Sequence, residues 1–237
     1  MDGSPYRRTA GRRRGAGGPV RARRAPRNRP LVPLRIFRSR TLVGGNLVVL
    51  TAGMAVDGVL FTFTLFAQQV LGYSAVRFAL AMAVMTVTSF VGVFVGQGLV
   101  TRAGPQRVAL AGITLIGFGS VLLAQGTAGE AFIGVHILGL VVFGAGLGAA
   151  FVAAQIAALT GVAERDAGLA SGVEETTFTI GNALGVAILS TIAISQPGPL
   201  TGTRAAFAGA AVIATLGGVA ALTLLRQTRP RQERPID

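Results

Sequence analysis

Six apolar stretches, each long enough to cross a bilayer, constrain this chain more than any other feature. They fall at residues 42–66, 78–100, 108–124, 131–159, 168–194 and 205–225. A helix needs roughly 17–25 apolar residues to span the hydrocarbon core. The third stretch is short, and the fourth and fifth are long enough to tilt. Backbone groups in lipid must be paired within their own segment, so an open chain of this kind crosses as helices. The expected fold is all-α, a polytopic membrane protein with six transmembrane helices over residues 42–225.

Charge supports this reading. Only 13% of residues are charged, yet the formal net charge is +13. Thirteen of the 22 basic residues, all arginine, precede position 41. Residues 1–30 are rich in Arg, Gly and Pro and poor in large apolar side chains, which predicts a disordered arm. Residues 31–41 mix apolar and basic side chains, as a juxtamembrane element does. Residues 226–237 form a basic tail. Arg102, Arg107, Arg165, Arg226, Arg229, Arg231 and Arg234 fall on the same side as the arm, against Arg77 and Arg204 on the other. The positive-inside rule then predicts a multi-pass protein of the cell membrane with both termini cytoplasmic. The long basic start and lack of a cleavage site argue against a signal peptide.

Several chemistries are excluded or disfavoured. The chain has no cysteine and no lysine, hence no thiolate site, P-loop lysine or Schiff base. A single histidine and no ligand cluster argue against a metal, a cofactor or an enzyme. The run Gly144-Ala145-Gly146-Leu147-Gly148 has glycines spaced somewhat like a dinucleotide loop, but it lies mid-span and is rejected as one. With Gly181, Gly185, Gly209, Gly217 and Gly218, it suits close helix packing or a sliding interface.

Charges within the spans stand out because each costs at least ~2.5–3.5 kcal/mol at the bilayer centre unless paired or wetted. Asp57 lies fifteen residues into the first span, roughly 22 Å along it. His136 lies near the outer end of the fourth, at a depth where the two can meet in a bundle. An Asp–His pair there can take up and release a proton, or simply form a structural hydrogen bond. Glu174 and Glu175 follow the start of the fifth span by about two turns. Adjacent residues diverge by about 100°, so one can enter a cavity while the other snorkels; both also suit the positive end of the helix. Thr176, Thr177, Thr179 and Asn182 continue a polar stripe that fits a substrate pathway. In the third candidate group, Gly104-Pro105 makes a tight turn, leaving Arg102 and Arg107 to hold helix carbonyls or neighbouring carboxylates.

Four segments together resemble the major facilitator superfamily, and within it the fourteen-helix drug:proton antiporters. They are Pro33-Leu34-Arg35-Ile36-Phe37-Arg38, Gln68-Gln69-Val70-Leu71-Gly72-Tyr73-Ser74, Arg102-x-Gly104-Pro105-x-Arg107 and Gly168-Leu169-Ala170-Ser171-Gly172. The likeness covers residues 31–225 and is to the second six-helix half. In the family's loop pattern Gly-x-Leu-x-Asp-Arg-x-Gly, this chain has Gln97 for the first glycine and Thr101 for the acid. Glu174-Glu175-Thr176-Thr177 resembles an Asn-Asp-Thr-Thr run of some relatives, which implies a functional acid at Glu175.

The resemblance implies a proton-coupled efflux pump for small amphipathic or cationic compounds, working by alternating access with a second half or a second copy. The competing readings are a membrane anchor whose arginine arm grips anionic lipid and an inactive fragment of a transporter. Nucleic-acid binding is disfavoured, because the arm has one aromatic residue, Tyr6, for base stacking.

Overall fold

The computed structural model describes residues 40–125, 133–160, 162 and 164–225, with backbone alone at 40, 41 and 133. The arm at 1–30, most of the juxtamembrane segment and the tail at 226–237 lie outside the described residues.

Six helices follow in chain order: α1 Arg40–Leu65, α2 Ala75–Ala103, α3 Pro105–Ala124, α4 Ile133–Leu159, α5 Ala167–Ile194 and α6 Pro199–Leu224. A π turn at Phe66–Val70 extends α1, and a 3-10 turn at Glu164–Asp166 leads into α5. Every one of the six is long and apolar enough to cross a membrane. The threonine and serine hydroxyls do not disturb this. Thr62 donates to Gly58 O (2.7 Å) and Ser120 to Ile116 O (2.8 Å), each satisfied one turn back on its own helix.

Helix ends follow local chemistry. The Ser74 side chain accepts from Arg77 N (3.4 Å) and starts α2. Gly104 adopts φ +84° between α2 and α3, a conformation that favours glycine, and Pro105 occupies the first turn of α3. The sixth helix begins at Pro199, six residues before the apolar run suggested, because a proline in the first turn starts a helix without needing its N–H. The expected capping by Arg102 and Arg107 is replaced by another residue. Gln106 Nε2 donates to Ala221 O (3.4 Å) and Leu222 O (3.3 Å), tying the start of α3 to the end of α6. Both arginines are exposed. Gln106→Leu is therefore expected to lower stability by about 1 kcal/mol in a detergent denaturation series, and Arg102→Gln to leave it unchanged.

Packing is organised by the central pair α1 and α4. These two are the most buried of the six helices, and α2 and α5 are the least buried. α1 packs on α5 and α6, α4 packs on α2 and α3, and α3 meets α6. Exchanging α1, α2 and α3 for α4, α5 and α6 maps these principal pairs onto one another, as expected of an inverted repeat. The two equivalent seams use the same device. On α2–α4, a Cβ at Gly92, Gly144 or Gly148 would overlap the backbone of the facing helix. On α1–α5 the same holds at Gly53, Gly181 and Gly185. In both, contacting residue numbers rise together, so the paired helices are parallel. The glycines thus act as close-packing positions. Phe63, Phe66, Phe143, Phe207 and Leu189 are fully buried around them.

Candidate functional site: the α1–α5 seam

The seam between α1 and α5 is fixed by glycines that bring the two backbones together. A Cβ at Gly181 would meet Leu50, and one at Gly185 would meet Met54. Polar groups cross at the same place. With its carboxamide nitrogen facing the carbonyls, Asn182 donates to Gly53 O (3.0 Å) and to Phe178 O on its own helix (3.3 Å). Two turns earlier on both helices is about seven residues back, which brings Glu174 level with Asn46.

Both of those side chains are buried. Glu174 is 3% exposed and Asn46 8%. Asn46 Nδ2 donates to Leu42 O (2.9 Å), which leaves its Oδ1 without a hydrogen-bond partner; Glu174 Oε1 has none either. Two buried acceptors at a similar level of α1 and α5 are thus without a donor. A charged carboxylate in such a place costs several kcal/mol. A carboxylic acid, by contrast, carries the O–H that an amide oxygen can accept. Asn46 was not among the residues singled out from the sequence; a polar amide four residues into an apolar run is the signal that marks it.

The adjacent carboxylates diverge as helical geometry requires. Glu174 points into the seam, and Glu175 is exposed. The polar run does not form one stripe. Thr176 and Thr179 are exposed, whereas Thr177 and Asn182 are half-buried toward the seam. Residues 174, 177, 178, 181, 182 and 185 share one face at 100° per residue, and 176 and 179 fall off it. The threonine hydroxyls are satisfied by their own helix, Thr177 on Val173 O (2.7 Å) and Thr179 on Glu175 O (3.0 Å). Phe151 of α4 packs edge-on against Phe178 at 5.3 Å and closes the neighbouring corner.

Asp57 and His136 are not brought together. Asp57 is half-buried on α1. His136 is 2% exposed, with its ring 5.1 Å from that of Phe66. Phe66 lies nine residues beyond Asp57, about 13 Å farther along the helix. The cause is the antiparallel register of α1 on α4, in which Gly45 faces Ala154 and Ala158 while Phe66 faces His136. Depth along each span allows a meeting, and the register of α1 on α4 forbids it. Arg102, Gly104 and Arg107 lie at the α2–α3 turn, apart from this seam. Among the described residues no cluster of His, Cys, Asp and Glu could hold a metal ion.

The Major Facilitator Superfamily profile matches residues 5–186 and again residues 47–237. The chain belongs to the major facilitator superfamily. Its six helices and inverted packing agree with one half of that fold. Among its relatives is the uncharacterized MFS-type transporter EfpA of Mycobacterium tuberculosis, 29% identical over 73% of this chain and 33% of EfpA. The tetracenomycin C resistance and export protein of Streptomyces glaucescens is 28% identical, covering 77% of this chain and 34% of its own. The cephamycin export protein CmcT of Amycolatopsis lactamdurans is 34% identical, covering 69% and 34% respectively. The chain thus spans about a third of the length of the curated relatives it matches. Within this superfamily the seam described above joins the first and fifth helices of the half.

Proposed function

We propose that the chain is one six-helix half of a proton-coupled exporter of small amphipathic or cationic compounds, completed by a second copy of itself that covers exposed faces of α2 and α5. Export of drug-like compounds is suggested by the names of the tetracenomycin C and cephamycin export relatives. Proton coupling rests on Glu174, a carboxyl buried on the contact face of α5 with its Oε1 lacking a hydrogen-bond partner.

Two further observations support a covered face. α2 and α5 are the least buried helices, and the exposed side of α5 carries Glu175, Thr176 and Thr179. Glu175 lies eleven residues into the Glu164–Ile194 span, about 16 Å along it. A carboxylate at that depth is too costly to face lipid, and faces protein or a wetted cavity instead. In this reading Asp57 and Glu175 line the accessible pathway, and Glu174 is the proton carrier at its wall. His136 has a packing role against Phe66. The cytoplasmic placement of both termini, from the arginine distribution, belongs to the same reading.

Purified chain in liposomes, loaded with a cationic dye under an imposed pH gradient, tests this directly. Gradient-dependent dye movement is expected, collapsing when an ionophore dissipates the gradient. Dye movement indifferent to the gradient would reject proton coupling.

A further inference from the structure

The α3–α6 surface holds a groove that the transport reading does not use. It has a volume of about 430 Å³, within the range of small-ligand sites, and is lined by these two helices alone. It exists because Gly117, Ala211, Ala214 and Gly218 stand where larger side chains would close it. Its rims are exposed apolar residues, with Phe118 56%, Val219 53% and Leu222 52% accessible.

The interior offers no free side-chain hydrogen-bond donor to a ligand. Thr114 donates to Leu110 O (2.8 Å) and Thr215 to Ala211 O (2.9 Å), so both wall hydroxyls spend their protons on their own helices. From Leu110 to Val121 the groove runs eleven residues, about 16 Å along α3. That length matches one leaflet, half of the ~30 Å hydrocarbon core.

One end of the groove is charged. Arg107 stands one turn before Leu110 on the same face of α3, is exposed, and has no ion pair among the described residues. Gln106 beside it, bonded to Ala221 O and Leu222 O, joins the two helices at this mouth. A guanidinium at the membrane boundary above a mainly apolar, leaflet-length furrow complements a molecule with a phosphate head and a hydrocarbon tail. We propose that the groove holds one acyl chain of an anionic phospholipid from the leaflet at the α2–α3 turn, with its phosphate on Arg107.

Native mass spectrometry of the purified chain tests this, with phosphatidylglycerol and phosphatidylcholine offered in equal amounts. Preferential retention of one phosphatidylglycerol is expected. In Arg107→Gln that preference should fall about fivefold, whereas Arg102→Gln should keep it. Gly218→Leu, which places a side chain in the groove, should lower retention of both lipids. Equal retention of the two lipids by the unaltered chain would overturn the proposal, as would an unchanged preference in Arg107→Gln. Competition by glycerol phosphate as effective as that by phosphatidylglycerol would also overturn it, by showing a bare phosphate site.

Discussion

Glu174→Gln is expected to reduce gradient-driven dye movement to the rate of protein-free liposomes, while the protein stays inserted and folded. The substitution keeps the size and the hydrogen-bonding capacity of the side chain, since a glutamine amide can donate to an amide oxygen as the carboxylic acid would. It removes only the ability to release a proton. The variant therefore separates carriage from packing. Its thermal stability in detergent should equal or exceed that of the unaltered chain, because the buried acceptors gain a permanent donor. Asn46→Leu offers a second reading of the same seam. Without the amide oxygen, Glu174 loses the acceptor at its level of α1, and the pH at which dye movement is half-maximal should shift. Glu175→Gln, on the exposed side, should alter movement without abolishing it. Full activity in Glu174→Gln would remove Glu174 from the mechanism and return the role to Asp57 or Glu175.

The second large effect is structural. Gly185→Ala adds one methyl where the Met54 backbone already occupies the space, so α1 and α5 must move apart. Overpacking of this kind costs about 1–3 kcal/mol, and the displaced backbone also opens the Asn182–Gly53 hydrogen bond. Gly98→Ala, at a helical position with no neighbouring atom within 4 Å, supplies the comparison. It should be neutral or stabilising by up to about 1 kcal/mol, because alanine favours the helix. Denaturation midpoints of the two variants, measured side by side in one detergent, give the contrast. Gly148→Ala on the equivalent α2–α4 seam should behave like Gly185→Ala.

The six helices were legible in the sequence because sustained apolarity over a bilayer's length has few other solutions. The start of α6 was not, since Pro199, Gly202 and Arg204 read as loop residues until the proline is placed in the first turn. Depth was legible too, and it misled at Asp57 and His136. Residue counting fixes position along a helix but not the register between helices, which here puts Phe66 rather than Asp57 beside His136. The divergence of Glu174 from Glu175 follows from 100° per residue. Which of them enters the seam depends on Gly181 and Gly185 choosing the contact face. Gln106 escaped notice because its partners, the carbonyls of Ala221 and Leu222, are more than a hundred residues away.

The claim that this chain is a half completed on its α2 and α5 faces is tested most directly by cross-linking. The chain has no cysteine, so single ones can be introduced cleanly. Phe94 on α2 is 71% exposed and Ile180 on α5 is 51% exposed. The seam registers, with Gly96 beside Ala149, Gly45 beside Ala154 and Gly181 beside Leu50, put the two at similar depth. Copies carrying Phe94→Cys, mixed in membranes with copies carrying Ile180→Cys, should form a disulfide-linked pair on oxidation. Copies carrying Val212→Cys on α6, 61% exposed, should not link to either. Linking through Val212→Cys with none between Phe94→Cys and Ile180→Cys would contradict the account.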